Sequence, residues 1–117
     1  MENIATFSFF RLNGIIMTEI KVGKVNEINE GEMKFVSLQG SNAVLTKING
    51  KIYCMEGDCS HAGGPLWEGE LEGNTVTCPW HGGQFDITTG KVLRPPAFMP
   101  KKTYQVKVVG NDVFVVV

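Results

Sequence analysis

Apolar and polar residues alternate along much of this chain with the two-residue period of a half-buried strand. The clearest run is 103–108, Thr103-Tyr104-Gln105-Val106-Lys107-Val108, where every second side chain is apolar or aromatic. Gly110-Asn111 then turns the chain, and 113–117 returns as an apolar partner strand. Earlier, Glu19-Ile20-Lys21-Val22 alternates in the same way, and 33–38 and 43–48 predict the next two strands. Asn49-Gly50 is the strongest short-range hairpin signal in the chain, and 51–55 leads back from it. The polar stretch 26–31 has room for one helical turn, and Thr75–Thr77 and Gln84–Asp86 are expected as short strands. The expected fold is all-β: antiparallel strands in a small sandwich or barrel.

A chain of 117 residues makes one domain with a modest core. Its formal charge of −1 gives no basic footprint for nucleic acid. No apolar run is long enough to span a bilayer. Eight of the fourteen glycines fall between Cys54 and Lys91. That bias predicts a loop-rich subdomain, 54–91, inserted into a base made of 17–53 and 92–117. Residues 1–16 have two readings: an extension ahead of a start at Met17, or a short strand or tail packed on the body. They have neither the basic start nor the small-residue cleavage site of a signal peptide.

The scarce residues sharpen this picture. The chain has two His and three Cys, and both His lie close behind a Cys, as Cys59-Ser60-His61 and Cys78-Pro79-Trp80-His81. Both loops continue into Gly-Gly, at Gly63-Gly64 and Gly82-Gly83. Two thiolates and two imidazoles make a complete four-ligand set. Ligand count alone admits a tetrahedral Zn²⁺ site or a [2Fe-2S] centre with Cys on one iron and His on the other. Zinc fingers, however, carry their His pair together on a helix. Here each loop supplies one Cys and one His, and Gly63-Gly64-Pro65 and Gly82-Gly83 oppose a helix. Cys54 is left over: three Cys cannot build an all-Cys cluster, and it is expected to be a buried, inert thiol.

The segment from Cys59 to Gly90 resembles the cluster-binding region of Rieske-type ferredoxins. The matching residues are Cys59-Ser60-His61, Gly64-Pro65-Leu66, Glu68-Gly69, Cys78-Pro79-Trp80-His81-Gly82, Phe85-Asp86 and Thr89-Gly90. A weaker similarity extends from about Thr18 to Val117. The resemblance implies one [2Fe-2S] cluster per chain, with Cys59, His61, Cys78 and His81 as its ligands and no catalytic residue. It also implies a proline loop at 93–98 covering the cluster, with Trp80 as a core anchor or part of a docking rim. The respiratory branch carries an extra disulfide pair where this chain has Gly64 and Trp80, and a hydroxyl bonded to a cluster sulfur where it has Gly83. Those departures resemble the low-potential ferredoxins of ring-hydroxylating oxygenases, near the lower end of the roughly −150 to +300 mV Rieske range.

The expected function is therefore electron transfer rather than catalysis. A soluble cytoplasmic carrier would pass one electron at a time from a flavin-dependent reductase to a terminal oxygenase or similar acceptor. A small Rieske subunit of a larger redox enzyme, such as a nitrite reductase, and a structural Cys₂His₂ zinc module are the alternatives.

Overall fold

Alternation alone does not say which strands pair; the turns and the buried faces decide that. The computed structural model describes residues 7–12, 14–59 and 63–117. Its larger sheet contains β1 (Phe7–Leu12), β2 (Ile15–Lys24), β3 (Met33–Ser37), β4 (Asn42–Ile48), β5 (Lys51–Glu56), β10 (Thr103–Val109) and β11 (Asp112–Val116). The spatial order is β1-β2-β11-β10-β5-β4-β3, and every pairing is antiparallel. The β4–β5 turn is the predicted Asn49-Gly50 hairpin. Both residues have positive φ, 52° and 80°, as a two-residue hairpin of this kind requires. The Glu30 carboxylate accepts hydrogen bonds from both turn amides, Asn49 N–H and Gly50 N–H. The polar connection after β2 forms a short 3₁₀ turn at Val25–Glu27.

A second sheet holds four strands of three residues each: β6 (Glu70–Glu72), β7 (Thr75–Thr77), β8 (Gln84–Asp86) and β9 (Val92–Arg94), in that order. β6 and β9 carry no periodic signal, because three residues are too few to show one, and both were absent from the sequence-based expectation. β9 extends the small sheet to Arg94, into the stretch that the sequence assigns to the base.

β4 and β5 lie between two cores, which is why β4 reads as an almost continuous apolar run. Ala43 and Leu45 of β4 and Cys54 of β5 join Ile20, Val113 and Val115 in the core of the larger sheet. Val44 and Met55, on the alternate positions, pack with Leu66, Val76, Phe85 and Ile87 of the smaller sheet and its loops. Phe35 of β3 meets Trp67 of the 3₁₀ turn Leu66–Glu68 with ring centroids 4.7 Å apart, a further link between the halves. Side chains on β5 thus point in two directions, with Cys54 toward one core and Met55 toward the other.

Candidate metal centre

Two hairpin ends carry the candidate ligands, and they are built alike. The first loop is closed by an antiparallel bridge between Asp58 and Pro65, the second by the pairing of Thr77 with Gln84 in β7 and β8. Each therefore runs from its Cys through to the second glycine of its Gly-Gly, 59–64 and 78–83. The internal hydrogen bonds also match. Cys59 N–H donates to Gly64 O at 2.8 Å and Gly63 N–H to Cys59 O at 2.9 Å. Cys78 N–H donates to Gly83 O at 2.8 Å and Gly82 N–H to Cys78 O at 3.1 Å. Gly63 and Gly82 hold φ of 73° and 77°, a conformation that only glycine adopts cheaply. The Cys-to-Gly-Gly spacing is identical in both loops, although the Cys-to-His spacing differs by one residue. That identity was present in the sequence as a signal of equivalent loops.

The two loops touch. A Cβ placed on Gly64 of the first loop would lie 2.8 Å from Cys78 Sγ of the second and 3.1 Å from the Trp80 ring. Cys59 and Cys78 are 4% and 2% exposed and belong to the same buried cluster. His81 is exposed, so its loop spans from a buried thiol to a solvent-facing ring. His61, with its neighbours Ser60 and Ala62, lies outside the described residues. Cys54 belongs to the other core, on the far face of β5 from Met55 and the two Cys loops. Burial pushes its thiol up from the ordinary 9.0 to about 12. A neutral thiol facing away from the loops is a poor metal ligand, because the thiolate is the ligating form.

The proline loop closes one side. A Cβ on Gly83 would meet Ala97 Cβ at 3.0 Å and Ala97 N at 3.1 Å, so the second Cys loop and the proline loop are in backbone contact. Of the two glycines in this loop, Gly82 and not Gly83 takes positive φ. Glycine is needed at 83 because Ala97 occupies the space a side chain would take. Ala97 lies in the stretch 93–98 that the resemblance makes the cover of the cluster, but nothing local in the sequence marks its contact with Gly83.

Buried thiols on two abutting, matched loops fit a [2Fe-2S] group held from both sides. Residues 18–105 match the Rieske [2Fe-2S] domain family. The chain is 37% identical over 89 residues to the ferredoxin component of the naphthalene 1,2-dioxygenase system of Pseudomonas aeruginosa, covering 76% of this chain and 86% of that protein. It is 35% identical over 100 residues to the biphenyl dioxygenase ferredoxin subunit of a Pseudomonas strain, covering 85% and 92%. Among solved structures, the ferredoxin of carbazole 1,9a-dioxygenase from Nocardioides aromaticivorans superposes with a TM-score of 0.81 at 25% identity, over 83% of this chain and 95% of that one. The chain belongs to the Rieske [2Fe-2S] family, and its cofactor is a [2Fe-2S] cluster. The zinc alternative left open by ligand count is set aside on that ground. No helix among the described residues is long and apolar enough to cross a membrane.

Proposed function

We propose that this chain is a cytoplasmic one-electron carrier that takes electrons from a flavin-dependent reductase and passes them to a terminal oxygenase or a similar redox acceptor. Cys59, His61, Cys78 and His81 are the ligands in this reading, with 54–91 as the cluster-binding subdomain of a single domain. The observation that supports it is the pair of abutting loops with matching backbone hydrogen bonds, which set the buried thiols of Cys59 and Cys78 in one cluster, with His81 exposed in the second loop. When bound, the cluster supplies a single reversible electron and no bond chemistry. The protein supplies the rest. Burial of Cys59 and Cys78 keeps water from the thiolate side, while exposed His81 leaves a short route to a partner.

The relatives' names support the acceptor class, because the naphthalene and biphenyl proteins are ferredoxin components of dioxygenase systems. A solved complex of oxygenase and ferredoxin in carbazole 1,9a-dioxygenase contains a chain similar to this one, at TM-score 0.79 and 28% identity. The test is anaerobic reduction by NADH and a flavoprotein reductase, followed by mixing with an oxidised Rieske oxygenase. Reduction and re-oxidation of the visible cluster bands, one electron per chain each way, is expected. A protein that is reduced by dithionite yet exchanges electrons with neither partner would overturn the carrier reading.

A further inference from the structure

The larger sheet has a seam between β5 and β10. Every other neighbouring pair of its strands is joined over five or more residue pairs. β10 and β5 are joined over two, Thr103 with Met55 and Tyr104 with Cys54. Residues 105–109 of β10 and 51–53 of β5 run on past the last pair without meeting each other. A cleft of about 680 Å³ opens there, within the range of roughly 300–1,000 Å³ usual for small-molecule sites. Lys51 and Ile52 line one wall, and Val106 and Val108 the other. The turns at Asn49-Gly50 and Gly110-Asn111 close the end, together with Val25. That end is tied: Val25 N–H donates to Asn111 O at 2.9 Å, and Asn111 Nδ2 donates to Asn26 Oδ1 at 3.3 Å.

The chemistry of the lining is one-sided. Its floor belongs to the core of the larger sheet: Ile52 is buried in that core, and Val25 and Val106 pack against it. Val108, at the rim, is 48% exposed. Branched aliphatic groups on both walls suit an apolar body. Lys51 is the only ionisable residue that lines the cleft. Its Nζ stands 5.3 Å from the centre of the Tyr53 ring and forms no ion pair among the described residues. Glu30, which accepts from the Asn49 and Gly50 amides, does not line the cleft. Asn49 and Asn111 add side-chain amides at the closed end. An unpaired cation at the mouth of an apolar cleft is complementary to an anionic head on an apolar tail.

We infer that the cleft between β5 and β10 binds a small apolar carboxylate, its tail against Val25, Ile52, Val106 and Val108 and its head at Lys51. The inference is independent of the carrier reading. Lys51 and Ile52 begin β5, whereas Met55 near its other end packs with Cys59 and Cys78. A ligand in the cleft therefore leaves the Cys loops open to a redox partner, and the chain can hold both at once.

Octanoate is the probe, added to the oxidised, cluster-loaded protein and followed by nitrogen-15 to proton NMR. Saturable shifts are expected at the amides of Gly50, Ile52, Val106, Val108 and Gly110, with those of Glu70 to Glu72 in the small sheet unmoved. Lys51→Gln should weaken binding about five-fold at 0.01 M salt, the factor for two unit charges about 4 Å apart in water, and by less at 0.15 M. Val108→Glu sets a like charge at the rim and should weaken it by a similar factor. Octylammonium, with the same tail and the opposite charge, should bind more weakly than octanoate to the parent protein. That comparison needs no variant, so it decides the sign of the site even where a substitution disturbs folding. Octylammonium binding as tightly as octanoate would overturn the proposal. So would octanoate shifts that never saturate or that fall outside the cleft. Sedimentation should show a monomer with and without octanoate. A dimer that octanoate dissolves, with the same amides shifting, would give the cleft to a second copy of the chain and overturn the proposal as well.

Discussion

Position 83 offers a direct way to change the electron affinity of this protein. The resemblance places a cluster sulfur beside it, where a hydroxyl would donate a hydrogen bond that strengthens when the site gains an electron. Net hydrogen bonds contribute about 0.5–1.5 kcal/mol, more when the acceptor is charged. For a one-electron couple, at about 59 mV per tenfold, that becomes a rise of some 20–60 mV. The structure adds a cost to the substitution. A Cβ at 83 meets Ala97 Cβ at 3.0 Å and Ala97 N at 3.1 Å, so Gly83→Ser must push the proline loop outward by a few tenths of an ångström. Overpacking of this kind costs about 1–3 kcal/mol. Ala97→Gly removes the nearer atom and should return part of that cost. The expectation is a raised potential in Gly83→Ser with lowered stability, and the same raised potential with partly restored stability in the double variant. Ala97→Gly alone should shift the potential little. Redox titration and urea unfolding of the four proteins side by side give both quantities. A potential unchanged or lowered in both Ser-containing variants, with the parent spectrum, would refute the reasoning about the absent hydroxyl. Strictly additive stabilities would refute the Gly83–Ala97 contact.

Gly90 holds φ of 81°, and a Cβ there would sit 1.9 Å from the carbonyl oxygen of Lys101, so Gly90→Ala should cost about 2–4 kcal/mol in urea unfolding. A loss below about 1 kcal/mol would mean that the segment leading into β10 yields easily. Cys54 gives a pH effect. Its buried thiol ionises near 12 in the native protein but near 9.0 when unfolded, so the native state binds more protons between those values and stability falls as pH rises through that window. The slope is at most about 1.4 kcal/mol per pH unit, and Cys54→Ala should flatten it while keeping the cluster spectrum. A Cys54→Ala protein with the parent's alkaline slope would contradict this assignment, and one that assembles no cluster would contradict its separation from the ligands.

Much of the fold was legible because its signals are local. Asn49-Gly50 fixes the β4–β5 hairpin through two positive φ angles, and the alternation at 103–108 lies on a long strand, Thr103–Val109. Family membership was legible for the same reason, because the two Cys-His pairs are compact motifs. What stayed hidden is non-local. The bridge of Asp58 with Pro65, which makes the first loop equal to the second, is one isolated pair and leaves no pattern. The Gly83–Ala97 approach joins segments that only the folded chain brings together. The burial of Val44 on one face of β4 and Leu45 on the other explains its continuous apolar run, but the sequence does not say what covers each face.

The central claim is that one [2Fe-2S] cluster is held by Cys59 and Cys78 on one side and by His61 and His81 on the other. Pulsed electron paramagnetic resonance of the dithionite-reduced protein, with nitrogen-15 in its histidines only, reads this most directly. The chain has just two His, so every labelled nitrogen coupled to the reduced cluster must come from His61 or His81. The account predicts two coupled imidazoles in the parent and one in His81→Cys, whose new thiolate can keep the cluster in place. A reduced cluster without histidine coupling, or a purified protein holding zinc in place of iron and sulfide, would contradict it.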